Sequence, residues 1–313
     1  MTTQDLQDRS FICETVADLR GKYLTLKRDH EFRARLDRLL AMDVNGNPIS
    51  AGEAVRTAGE RRGIAVVGGA GSGKTTLIKK AVSKHPALQP SEDASMPVVE
   101  ITVPNPATMK SVGFEILKKT GYGELANKRT AWEIWNDVRT RFRLLGTIVL
   151  VIDEAHDLFP KGSKSEAYEI LRTLKSLMQG DGSVIVVLCG IESLYDSISF
   201  DYQVQRRFAK FDLPPITTSA DSKLVWGLIG KFCDRAGLGR PGQIDLVDRL
   251  AHVGRYRLGI CIEQIISAIE IALTRGDTAL DIQHFADAFF EQEGCEVGRN
   301  VFLSPRWSSI DLG

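Results

Sequence analysis

Residues 68–75 read GGAGSGKT, and an apolar run ends in Asp153-Glu154, 79 residues beyond Lys74 (153 − 74). The first stretch fits G-x-x-x-x-G-K-[ST], a loop whose glycines let backbone N–H groups close around phosphates. Gly69, Ala70, Gly71, Ser72 and Gly73 are the expected cradle, and Lys74 reaches the terminal phosphates. Thr75 offers a hydroxyl to Mg²⁺, and Thr76 continues the contact into the first helical turn. Asp153 is expected to hold Mg²⁺, mainly through its water shell, and Glu154 to orient and deprotonate an attacking water. This pairing predicts nucleotide binding followed by hydrolysis. Ala155 and His156 read as the start of the next loop.

These groups need elements to hold them. GIAVVG (63–68), PVVEITV (97–103), TIVLVID (147–153) and SVIVVLCG (183–190) are β-branched, nearly continuous apolar runs. Such runs suit strands buried on both faces of a parallel sheet, with FAKFDLP (208–214) as a fifth. The phosphate loop follows the first run and opens the helix TLIKKAVSK, the strand–loop–helix context that the motif requires. In a parallel sheet ligands sit beyond the carboxyl ends of strands, which aims Asp153 and Glu154 at the loop. Helical spacing in SKSEAYEILRTLKSLMQG (163–180), between the third and fourth runs, completes an α/β alternation.

The predicted organisation is a helical lead-in over 1–60, closed by turn residues at 44–50, and an α/β core over 61–216. A helical domain over 217–294 and an extended or mobile tail over 295–313 follow. Forty basic residues balance forty acidic ones in 313, and 43% of residues are hydrophobic, so overall charge predicts no partner. The five cysteines are far apart, which speaks against a disulfide framework or a zinc site. No stretch reaches the ~18 apolar residues of a membrane span and no secretory signal opens the chain, so a cytoplasmic protein is expected.

The stretch GIESLYDSISFDYQVQRRFAKFDLP (190–214) adds an Arg-Arg-Phe before the fifth strand. With the phosphate loop, Asp-Glu, fourth strand and helical C-terminal domain, the chain resembles an AAA+ ATPase. The resemblance implies an α/β AAA+ P-loop core, with a five-stranded parallel sheet and an all-helical lid, that uses ATP and Mg²⁺. It also implies an arginine finger reaching a neighbouring subunit's γ-phosphate: Arg207 matches that position best, and Arg206 competes for it. In GRYRLGICIEQI (254–265), Arg257 matches the arginine that opens a lid helix and contacts nucleotide. One departure stands out. Where the family carries a polar first sensor near the end of the fourth strand, this chain has Leu188-Cys189-Gly190, and a thiol is a weak donor.

Within AAA+ the layout is similar to the transposition regulators TniB and TnsC, and more distantly to Mu B. KRDHEFRARLDRLL, the 190–208 stretch and the closing RNVFL carry that likeness. It implies a homo-oligomer, ring or helical filament, assembled with ATP on double-stranded DNA without sequence preference. Hydrolysis would disassemble it, and its partners would be a transposase and a target-selection protein. The family's DNA-holding stretch corresponds to residues 104–130, where Lys110, Lys128 and Arg129 are the candidate phosphate contacts and Lys118 and Lys119 read as solvated mid-helix residues. The alternatives are a helicase loader similar to IstB or DnaC and, further off, a signalling switch of the STAND type. A DEAH-type helicase is not expected, since no second sheet can be drawn in the 160 residues after Asp153 (313 − 153).

Overall fold

The computed structural model describes residues 3–40, 61–123, 129–159, 164–180 and 182–312, with the backbone alone for 3–8 and 164. The turn expected at 44–50 and the candidate Lys128 lie outside the described residues. Chain order begins with helices α1 (Thr3–Gly21) and α2 (Lys27–Asp37), strand β1 (Gly63–Val67) and helix α3 (Lys74–Ser83). Next come β2 (Val98–Thr102), α4 (Met109–Lys119), α5 (Ala131–Leu145), β3 (Val149–Asp153), a 3₁₀ turn over Ala155–Leu158, α6 (Lys164–Leu177) and β4 (Ile185–Gly190). Short helices α7 (Ser193–Ile198) and α8 (Tyr202–Gln205) lead to β5 (Phe208–Asp212). The chain continues as α9 (Thr218–Ala236), α10 (Leu246–Val253), α11 (Leu258–Arg275) and α12 (Ile282–Glu293).

All five strands run parallel, in the order β2-β3-β4-β1-β5. Composition explains the order. Every residue of β1 and β4, and all of β3 before Asp153, is buried, as strands covered on both faces require. β2 and β5 mix apolar with Glu100, Lys210 and Asp212 and take the two edges. One face of the sheet carries Val112 and Ile116 of α4, Ile134 and Phe142 of α5, and Leu171 and Leu174 of α6. The other face packs on Phe32 and Leu36 of α2 and Leu77, Ile78 and Val82 of α3. Fully burying side chains of this size stabilises the fold by about 1.5–3 kcal/mol each, relative to exposure. Register brings Thr102 level with Asp153, and Val67 level with Gly190, so the carboxyl ends of the strands share one rim.

The chain divides into two compact units. One is Leu26–Gly69 with Lys74–Leu213, the sheet unit; the other is Met1–Thr25, Ala70–Gly73 and Pro214–Gly313, the helical unit. The lead-in expected as one segment is therefore divided. α1 belongs with the helical unit, where Val16 and Leu19 are buried, Arg235 pairs with Asp18, and Arg20 lies 3.5 Å from Glu263. The hydrogen bonds from Arg235 and Lys22 hold the Asp18 carboxyl down at about 2. α2 belongs with the sheet unit.

The expectation of an extended or mobile tail is also corrected. Val301 and Phe302 are buried, and Phe302 packs on Phe285 and Phe289 with ring centroids 5.5 and 6.1 Å apart. Asn300 donates to the Ala286 carbonyl at 2.8 Å and accepts from Phe302 N at 3.0 Å. Buried Arg249 donates to the carbonyls of Val301 and Ser304, at 2.7 and 2.9 Å, and His252 Nε2 to that of Ile310 at 2.8 Å. The sequence hid this docking because most of the acceptors are backbone carbonyls, which no side-chain pattern announces. No described helix is long and apolar enough to cross a membrane.

Candidate functional site

In the sheet unit, Lys74 opens α3 and is buried, its Nζ donating to the carbonyls of Gly68 and Gly69 at 2.8 and 3.0 Å. These bonds hold the ammonium against the loop that precedes it, within the reach of its own flexible stem. Thr75 Oγ1 donates to Asp153 Oδ2 at 2.8 Å, so the two residues proposed to share a cation do meet across 78 positions. Asp153 Oδ1 accepts from the Glu154 N–H at 3.0 Å, which fixes the carboxylate plane. One carboxylate and one hydroxyl, both hard oxygen donors, fit Mg²⁺, which keeps several waters and takes its other ligands from phosphates. Among the described residues no cluster of three or more His, Cys, Asp or Glu side chains could hold a metal.

Cys189 completes this group. It is fully buried at the end of β4, and desolvation first, then the Asp153 carboxylate, pushes its thiol well above the ordinary cysteine range. It therefore faces Asp153 as a neutral, weak donor. Glu154 leaves the strand in the left-handed region, φ 52°, with its carboxylate half exposed. His156 Nδ1 stands 3.3 Å from Glu154 Oε2, a contact that sequence reasoning missed.

In the helical unit, Ala70–Gly73 pack with the start of α11. Arg257, the N-cap residue of that helix, donates from Nη1 to the Ala70 carbonyl at 3.0 Å, so it does reach the loop. The turn that presents it has Arg255 and Tyr256 in consecutive left-handed conformations, φ 49° and 58°. Gly259 was also missed. A Cβ there would stand 2.3 Å from the Gly71 carbonyl oxygen, so only glycine permits this approach of helix to loop. The signal was a lone glycine inside a helical pattern, a residue that costs about 1 kcal/mol there against alanine and calls for a packing reason.

The two finger candidates differ in exposure. Arg207 is 5% exposed and its carbonyl accepts from Gly63 N at 2.8 Å, inside the sheet unit, whereas Arg206 is exposed. A side chain that must cross to another subunit has to leave its own surface, which favours Arg206. Arg129 is tied to Asp137 through Nη1, and its guanidinium lies 5.9 Å from the Tyr122 ring centre. Lys110 lies over the Phe114 ring in the first turn of α4. Lys118 and Lys119, expected mid-helix, occupy its last turn and are exposed, beside the carbonyls that favour positive charge there.

The family model described as "Bacterial TniB protein" matches residues 50–218, just over half of the chain. No curated protein sequence matches. Several solved structures share the fold. Cdc6p from Pyrobaculum aerophilum has a TM-score of 0.64 at 15% identity, covering 90% of this chain and 74% of its own. Orc1 from Aeropyrum pernix, solved in complex with DNA, has a TM-score of 0.61 at 18% identity, covering 88% and 67%. Orc2 from Aeropyrum pernix, solved as ADPNP-ADP complexes, has a TM-score of 0.59 at 16% identity, covering 90% and 74%. With the phosphate loop, the parallel sheet and the C-terminal helices described above, and a family match over more than half of its length, this chain belongs to the TniB family.

Proposed function

We propose that this protein is an ATP-dependent DNA-binding transposition regulator. ATP holds it as a ring or filament on double-stranded DNA, the assembly recruits and activates a transposase, and hydrolysis takes the assembly apart. The observation that carries the reading is the meeting of Thr75 with Asp153 beside Lys74, a hydroxyl and a carboxylate whose chemistry suits a cation next to a phosphate loop. Membership of the TniB family agrees with the resemblance to transposition regulators, which is where the transposition context comes from. In this reading Lys74 leaves the Gly68 and Gly69 carbonyls for the terminal phosphates. Thr75 and Asp153 hold Mg²⁺, which supplies charge neutralisation when bound. Glu154 takes the proton of the attacking water, and Arg257, bonded to the Ala70 carbonyl, is the arginine that meets nucleotide. Arg206 is the finger offered to the next subunit.

The test is double-stranded DNA binding and electron microscopy with ATP, a non-hydrolysable analogue and ADP. Ordered assemblies and at least tenfold tighter binding with ATP than with ADP are expected, and Lys74→Ala should lose both. Equal binding in the two nucleotide states would sink the reading. A preference for single strands would replace it with the helicase-loader alternative.

A further inference from the structure

The end of β4 is where the AAA+ resemblance calls for a polar side chain, and Cys189-Gly190 supplies none of strength. Gly190 supplies space instead. A Cβ on it would lie 3.2 Å from His156 Nδ1, 3.3 Å from His156 N and 3.0 Å from Leu194 Cδ2. The imidazole that follows β3 therefore occupies the place beside the β4 terminus that a larger residue would close. Its two nitrogens face two carboxylates: Nδ1 lies 3.3 Å from Glu154 Oε2, and Nε2 lies 3.5 Å from Asp157 Oδ1. The side chain is 19% exposed, and Nδ1 is buried without an aligned hydrogen bond, although the Glu154 oxygen is within reach. Catalytic contacts in a ligand-free protein are often this loose and tighten around substrate.

The backbone gives a second, separate reason for support at this point. Glu154 sits at φ 52° and ψ 36°, a region that L-residues other than Asn, Asp and Gly enter at a cost of order 1–3 kcal/mol. It is also the residue that opens the Ala155–Leu158 turn, with Asp157 N bonded back to its carbonyl at 3.0 Å. The carboxylate of Glu154 is thus aimed by the turn, and the turn carries the imidazole that meets it.

We propose that His156 is the positioning residue of Glu154: its Nδ1–H holds the carboxylate in the orientation for taking a proton from water, in place of a polar group from β4. The proposal rests on Glu154 acting as the base, as proposed above. It also accounts for how a chain with Cys189 at the sensor position retains a polar contact there, contributed by the turn after β3.

The experiment compares His156→Ala, His156→Asn and Glu154→Gln in the full chain, with DNA and ATP present. Phosphate release gives kcat, titration with a fluorescent ATP analogue gives affinity, and thermal melting monitors the fold. His156→Ala should lower kcat by about 10- to 100-fold, the scale on which orienting partners act. Nucleotide affinity should stay within about twofold of the parent, because Lys74 and Thr75 are untouched. His156→Asn presents an amide N–H near the Nδ1 position and should recover a substantial part of the loss. A side chain that only filled space would make the two variants equal, and that result would overturn the proposal. Parental kcat in His156→Ala while Glu154→Gln is inactive would overturn it alone. Parental turnover in Glu154→Gln would remove Glu154 as the base, and the role of His156 with it.

Discussion

Arg206 and Arg207 are adjacent in sequence and opposite in environment, one exposed and one buried. Their replacement by alanine should therefore separate catalysis from stability. Arg206→Ala is expected to leave the melting transition within about 0.5 kcal/mol of the parent and to lower hydrolysis in the assembled state by about 10³-fold. Arg207→Ala removes a buried charged side chain and should destabilise by about 2 kcal/mol or more, seen as a lower denaturant midpoint. Strong loss of hydrolysis in Arg207→Ala at parental stability would restore it as the finger.

His85 offers a pH-dependent test at the same scale. Its ring is fully buried; Nδ1 accepts from Ala87 N at 3.1 Å, so Nε2–H donates to Asp37 Oδ1 at 2.7 Å. Burial, opposed only in part by Asp37, lowers its pKa below the ordinary histidine value. Below about pH 6.5 the unfolded chain takes up a proton that the folded one resists, so stability falls as pH drops toward the folded value. Above pH 6.5 this contribution is complete. Melting curves at pH 7.5 and 5.5 should show a larger drop for the parent than for His85→Gln, which has no proton to gain; equal drops would contradict the assignment.

At the scale of elements, the approach of α11 to the phosphate loop turns on a missing methyl group. Gly259→Val would drive a side chain into the Gly71 carbonyl, which is backbone and cannot swing aside. The helix start and Arg257 must then withdraw, and nucleotide affinity is expected to fall by about tenfold, or 1.4 kcal/mol. Unchanged affinity by nucleotide titration would show that loop and helix are not coupled. The five parallel strands were legible in the sequence because strands buried on both faces leave a continuous apolar record. The phosphate loop and Asp153 were legible for a similar reason, since their chemistry fixes both residue type and place. What stayed hidden depends on neighbours distant in sequence. Gly259 is defined by the Gly71 carbonyl, His156 by the space at Gly190, and Arg207 by burial beside β1. A one-dimensional pattern records none of these.

At the scale of the whole molecule, the chain is interleaved. α1 belongs to the helical unit and α2 to the sheet unit, and the loop tip Ala70–Gly73 belongs to the helical unit although β1 and α3 flank it. Neither unit is one continuous length of chain, so cutting at residue 216 would strip the helical unit of α1 and of the loop tip. A fragment of residues 217–313 should expose the apolar surface that Val16 and Leu19 cover, and show weak secondary structure by circular dichroism. A stable, cooperatively melting fragment would contradict this.

The way the tail is fastened bears on how freely it can drift over generations. Arg249, His252 and Arg255 bind the carbonyls of Val301, Ser304, Ile310 and Leu312, and any residue in those four places carries the same oxygen. The fixed vocabulary sits on α10 and the turn after it, and the tail's own side chains count chiefly at Asn300, Val301, Phe302 and Trp307, whose ring packs on His252. An alanine scan should read accordingly: near silence at Ile310 and Leu312, and a loss of about 3–5 kcal/mol at Phe302. Such a segment can change at Ile310 and Leu312 and still be tied down in the same place, because the oxygen that fastens it there belongs to the backbone.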